Sequence, residues 1–135
     1  MFYPTDFTDD LRRKPICGVL AIAVAAGTSF AQATEAVKQN LLPHQKRHGG
    51  KTYHEQRLGA LDTLGVKYVE LPKPPKMTLA RWYTEHAYLN KHYMVMTSAH
   101  IVTVKNGVLM DQQQCCALEH FNSRHCFVRE VTEIV

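Results

Sequence analysis

The chain has no apolar run long enough to cross a bilayer as a helix: the longest lies between Pro15 and Gly27, well short of the roughly 20 residues a span needs. No membrane is expected among its partners. It also has little excess of charge, because Lys and Arg total 16 against 12 Asp and Glu, a net +4. The basic residues are scattered, apart from Arg12-Arg13-Lys14 and Lys46-Arg47, so no nucleic-acid-binding face is expected. Cysteine is sparse: Cys17, Cys115, Cys116 and Cys126, two of them adjacent, make a poor disulfide framework and favour a reducing, cytoplasmic setting. Internal repeats and low-complexity segments are missing too. What is there, 135 residues with 45% hydrophobic and 21% charged, fits one domain with its own core, residues 1–135.

The most informative stretch is Pro15-Ile16-Cys17-Gly18-Val19-Leu20-Ala21-Ile22-Ala23-Val24-Ala25-Ala26-Gly27. Proline presets the backbone before a helix, Ala and Leu favour the helix, and Gly27 is a ready stop, which predicts a helix over 17–26. Cys17 then stands at the helix N-terminus, where outward N–H groups and the positive end of the dipole favour a thiolate over a thiol. A buried packing cysteine is the plainer alternative. Arg12-Arg13-Lys14, the apolar run and Ala31-Gln32-Ala33 also mimic a secretory signal peptide. Acidic Asp6, Asp9 and Asp10 ahead of the basic cluster are unlike a signal's first region, so a core helix is expected.

Residues 1–14 read as an irregular or extended lead-in. Ser29 with Gln32 three residues later is a capping box, predicting a second helix to about Gln39, closed by Leu41-Leu42-Pro43. His44 to Thr52, with Gly49-Gly50, is a loop. Leu58, Leu61 and Leu64 predict a third helix over Tyr53 to Leu64, ended by Gly65, followed by a short strand over Val66 to Leu71. Pro72, Pro74 and Pro75 stiffen a linker, and Thr78 can cap a fourth helix to about Tyr88. Thereafter β-branched and aromatic residues predict strands at Tyr93–Met96, His100–Val104, Val108–Met110 and Cys126–Val131. Helices first and an antiparallel sheet after is an α+β pattern, with the N-terminal helices expected to pack on the C-terminal sheet.

Asn106-Gly107 between apolar runs signals a two-residue hairpin turn, because both central residues of a type I′ turn take positive φ. The register follows: Lys105 opposite Val108, Val104 opposite Leu109, Thr103 opposite Met110 and Val102 opposite Asp111. His100 then shares a face with Asp111 as its diagonal neighbour, and Gln113 would lie directly opposite His100 as a second candidate orienting group. A strand histidine and a solvated strand-end carboxylate are the structural alternative. In a Cys-His-Asp arrangement the imidazole takes the thiol proton, and the carboxylate holds the ring in its useful tautomer.

Cys17-Gly18 opening a helix with small Ala21 and Ala23, the Gly27-Thr28-Ser29 break into a second helix, the Tyr93-to-His100 strand and Asp111 after a Gly turn resemble the papain-like cysteine peptidase superfamily. The nearest pattern is its short C39-like branch, which processes leader peptides and related substrates. The resemblance implies a papain-like fold and a catalytic Cys17, His100 and Asp111, acting on a peptide or protein substrate without cofactor or metal. The chain departs from the family where a glutamine usually stands about six residues before the nucleophile: Leu11 occupies that place, and no glutamine precedes Cys17. A missing oxyanion donor costs roughly 2.7–4 kcal/mol of transition-state stabilisation. Either another group replaces it, Arg12 or Arg13 being candidates, or activity is weak or absent and the chain is a catalytically inactive papain-like binding or inhibitory module.

Cys115, Cys116, His120, His125 and Cys126 form a thiol and imidazole cluster, but adjacent cysteines fit zinc spacing badly, leaving a zinc-stabilised interaction domain as a third class. His44, His48 and His54 read as exposed. Gly49-Gly50-Lys51-Thr52 lacks the upstream glycine and strand of a phosphate loop, and Ser98 is too close to His100 on one strand for mutual attack. Tyr53, Trp82 and Tyr83 line a cleft or, more simply, the core. The resulting expectation is a thiol hydrolase cleaving a peptide or isopeptide bond; substrate sequence and oligomeric state are not legible.

Overall fold

A computed structural model describes residues 3–98 and 100–135. The chain forms two compact units, Met1–Lys67 and Tyr68–Val135. The division falls between Lys67 and Tyr68, ahead of the proline segment, which belongs wholly to the second unit.

The first unit is helical. Helix α1 (Cys17–Ala26) ends at Gly27, whose φ of 63° is the left-handed conformation that stops a helix. Helix α2 (Phe30–Lys38) starts at Ser29, with the capping box to Gln32 in place. Helix α3 (His54–Thr63) is followed by Gly65 at φ 73°. The three helices contact one another pairwise. Gly18 to Val24 are all buried, so α1 is apolar on every side and forms the middle of this unit.

Helix α3 does not bury the leucine face expected of it. Gln56, Arg57, Ala60 and Leu61 are buried, while Leu58 and Leu64 are only half-buried. The polar pair is accommodated because each member has partners. Gln56 Nε2 donates to Val37 O at 3.3 Å, and Arg57 Nη1 donates to Thr52 O at 3.0 Å and Oγ1 at 3.1 Å.

The lead-in is less irregular than its composition implies. It carries a one-turn 3₁₀ helix at Leu11–Arg13, and Asp6 accepts from Phe30 N at 2.8 Å and Ala31 N at 2.9 Å. Burial opposes the Asp6 charge, but these N–H groups at the start of α2 outweigh it and hold the carboxyl below its ordinary value.

The second unit is a six-stranded antiparallel sheet with one helix, so the class is α+β. Its strands are β1 (Tyr68–Glu70), β2 (His92–Thr97), β3 (Ile101–Lys105), β4 (Val108–Met110), β5 (Cys115–Cys116) and β6 (Val128–Ile134). They are ordered β1-β6-β2-β3-β4-β5. Helix α4 (Leu79–His86) is capped by Thr78, whose side chain accepts from Arg81 N. It lays Trp82 against Tyr93 edge-on, with ring centroids 5.1 Å apart, in a core that includes Val95, Val102, Leu109 and Phe121. Tyr83 Oη donates to Gly107 O at 2.8 Å and ties α4 to the hairpin turn.

That turn has the predicted form, with Asn106 at φ 51° and Gly107 at φ 78°. Thr103 faces Met110, Val104 faces Leu109 and Lys105 faces Val108, as read from the sequence. The last strand begins two residues later than expected and runs to Ile134, because its first predicted residues, Cys126 and Phe127, are spent on the approach: Cys126 O accepts from Leu79 N, and Phe127 bridges Thr78. Among the described residues, no single helix is long and apolar enough to cross a membrane.

Candidate active site

His100 immediately precedes β3, and its position is fixed by a tight turn out of β2. Thr97 N and Thr97 Oγ1 both donate to His100 O at 2.9 Å, and His100 N donates to Thr97 Oγ1 at 3.1 Å. Thr97 is fully buried, so the turn is anchored in the sheet rather than in solvent.

Asp111 stands just past the end of β4. The ladder stops at Met110 because the chain turns: Asp111 N donates to Gln114 O at 2.9 Å. The side chain caps the same turn, its Oδ1 accepting from Gln113 N and Gln114 N, each at 2.8 Å. The other oxygen, Oδ2, lies 2.9 Å from His100 Nε2. That approach is short but bent, so the nitrogen lacks a well-aligned hydrogen bond. The sequence places Gln113 opposite His100; the turn removes it from that position, and its backbone N–H supports Asp111 instead.

Asp111 is only 7% exposed, and burial on its own would favour the neutral acid. The His100 ring nitrogen 2.9 Å away and the Gln113 and Gln114 N–H groups more than offset this, so the carboxyl sits below its ordinary value and is an anion at neutral pH. An anion at Nε2 favours the tautomer with its proton there. Nδ1 is then the nitrogen left without a proton.

Cys17 stands in the helical unit as the first residue of α1. It is half-buried, and it is a thiol, as are Cys115, Cys116 and Cys126. Ile16 supplies no side-chain cap, and a helix start directs its first N–H groups outward. Beside it, Gly18 has no room for a side chain: a Cβ there would overlap Thr52 Oγ1 and come within 3.2 Å of Thr52 Cβ and 3.4 Å of Arg57 Cδ. Because Thr52 is held by the buried Arg57, it cannot simply swing aside. Gly18→Ala is therefore expected to cost about 1–3 kcal/mol of stability, measured by chemical denaturation of the full chain.

Arg12, one possible substitute for the missing glutamine, is engaged elsewhere. Its guanidinium lies 4.5 Å from the Tyr3 ring centroid and 5.0 Å from that of Phe7, and Nε is 3.3 Å from Asp9 Oδ1.

The thiol and imidazole cluster does not form a metal centre: among the described residues, no group of three or more His, Cys, Asp and Glu side chains could hold a metal ion. The segment after Cys116 is organised by Gln114, whose amide donates to His120 O at 2.9 Å and accepts from Asn122 N at 2.7 Å. Burial, with the neighbouring Cys115 and Asp111, pushes the Cys116 thiol up, opposite to what a reactive thiolate needs. What sequence reasoning missed is this support: Thr97, Gln113 N–H and Gln114 position His100 and Asp111, and nothing in their spacing announces it. No protein-family model matches the chain, and neither a curated protein nor a solved structure matches it at a significant level.

Proposed function

We propose that the protein is a cysteine peptidase-like thiol hydrolase of papain-like type, acting in the cytoplasm on a peptide or isopeptide bond. Cys17 is the nucleophile, His100 the general base and then acid, and Asp111 the orienting carboxylate. The observation that carries this reading is the 2.9 Å contact of His100 Nε2 with the buried Asp111. In the reaction, Cys17 gives its proton to His100 Nδ1 and its sulfur attacks the carbonyl carbon. His100 returns the proton to the leaving amine, and water then cleaves the thioester, regenerating the thiol. The outward N–H groups at the start of α1 offer hydrogen-bond donors to the oxyanion.

A second reading, a papain-like binding or inhibitory module without turnover, is favoured by Leu11 in the glutamine position and by the engagement of Arg12 with Tyr3, Phe7 and Asp9. Iodoacetamide labelling, resolved by peptide mass spectrometry, separates the two. On the hydrolase reading Cys17 is alkylated well below pH 8, and His100→Ala slows labelling at pH 6 by about 10-fold. Labelling that rises only near pH 8.5, about where an ordinary thiol titrates, with no effect of His100→Ala, rejects catalysis in favour of the binding module.

A further inference from the structure

The second unit carries a basic groove of about 570 Å³, lined by Lys73, Pro74, Pro75, Lys76, Phe127 and Arg129 among others. It arises from two interruptions in the sheet. Strand β1 pairs with β6 as far as Glu70 opposite Thr132, and Leu71 N still donates to Val131 O at 3.0 Å. Pro72 has no N–H with which to continue. The chain bows away and regains β6 only at Met77, whose O accepts from Val128 N at 2.9 Å. On the other side, β2 and β6 shift register between Met96 opposite Glu130 and Thr97 opposite Val128. Arg129 is thus the extra residue of a bulge, in register with a residue of neither neighbour.

The walls of this gap share one sign of charge. Lys73, Lys76 and Arg129 are exposed, and among the described residues none has an acidic partner and no carboxylate lines the groove. Phe127 is 43% exposed, an unusual position for a phenylalanine, and the Lys76 ammonium lies 4.9 Å from its ring centroid. An interrupted sheet edge is suited to a guest strand, which can take up main-chain pairing where the host strand leaves off. A nucleic acid has no such backbone, and a single aromatic platform is a poor stacking surface for it.

We infer that this groove binds an extended polypeptide segment carrying several carboxylates, paired along β6 at Arg129, its acidic side chains met by Lys73, Lys76 and Arg129 and an apolar one by Phe127. The groove opens at the end of the sheet that carries His100, since Ser98 N, at the exit of β2, donates to Phe127 O at 2.9 Å. That the segment is part of a substrate rests on the thiol-hydrolase reading; that the groove binds it does not.

The test is fluorescence anisotropy of the full chain with a labelled peptide of alternating glutamate and leucine, at physiological salt. Saturable binding is expected, weakened about 30-fold in the Lys73→Glu/Lys76→Glu/Arg129→Glu variant, which should fold normally because all three side chains are exposed. A peptide N-methylated at every second backbone nitrogen should bind about 10-fold more weakly, reporting the main-chain pairing. Cys17→Ala should bind as the parent chain does, so failed chemistry and failed binding are told apart. Absent binding, equal binding of a lysine-leucine peptide, no loss on charge reversal, or tighter capture of oligothymidylate at the same salt would overturn the inference.

Discussion

Asp111→Asn is expected, if the proposed hydrolase reading holds, to abolish most hydrolysis, by about 10³–10⁴-fold in kcat/KM, while leaving the fold nearly intact. The amide oxygen can still accept from Gln113 N and Gln114 N, so the turn survives. Its NH₂ then faces His100 Nε2, donor toward the proton that Asp111 had favoured there. The ring escapes by moving that proton to Nδ1, the nitrogen that accepts from the thiol in the proposed reaction. Asp111→Ala should lose the chemistry and also about 1–3 kcal/mol of stability in all, since Gln113 N and the half-buried Gln114 N lose their acceptor. Steady-state kinetics together with urea denaturation of both variants checks this. Asn and Ala variants equally unstable, or an Asn variant that retains full activity, would remove Asp111 from its orienting role.

The pH dependence of this carboxylate has a definite sign. The folded value lies below the ordinary 3.8, so the stabilisation is fully present above 3.8 and is lost as pH falls through the lower folded value. Asp111 therefore contributes to acid unfolding only at the acidic extreme.

A larger effect at milder acidity comes from His92. Burial, reinforced by the Lys105 charge opposite it on β3, lowers this histidine from 6.5 to about 4. Its Nε2 is buried with no hydrogen-bond partner among the described residues, and its other cross-strand neighbour, Ile134 on β6, offers no charge. The unfolded chain takes up a proton more readily than the folded one. Stability is therefore highest above pH 6.5, declines between 6.5 and about 4, and levels off below. The full decline, reduced for the solvent that reaches this half-buried ring, is about 2 kcal/mol. His92→Leu should flatten the urea midpoint across that interval, and an unchanged slope would show that another group controls it.

The legible parts of this fold are those specified by a few adjacent residues. Gly27, the Ser29–Gln32 box, Gly65, Thr78 and Asn106-Gly107 each determine their own backbone, and the corresponding helix ends and hairpin register could be read from the chain. That His100 and Asp111 come to one side of the hairpin was legible from the Asn106-Gly107 register, but the turns at Thr97 and at Asp111–Gln114 that bring them into contact were not. What escaped is decided by distant partners. Strand β5, two residues long, exists because Leu109 and Met110 offer it an edge, and two residues have no periodicity. The buried face of α3 was misread because Gln56 and Arg57 become tolerable inside only when Val37 O and Thr52 accept from them. Phe121 is completely buried although it lies between two 3₁₀ turns, where its place in the core depends on the sheet beneath.

The strand order carries a consequence for biosynthesis. Strand β6, late in the chain, lies between β1 and β2 and so joins the outer strand to the rest of the sheet. During synthesis the helical unit can close as soon as α3 has left the ribosome, because it is a compact unit with its own buried helix α1. The sheet unit must wait for Val128–Ile134, and until then β1 has no neighbour and the open side of β2 is exposed. A nascent chain stalled before Val128 should therefore present a folded helical half and an unfinished sheet, the species that chaperones and proteases would meet first.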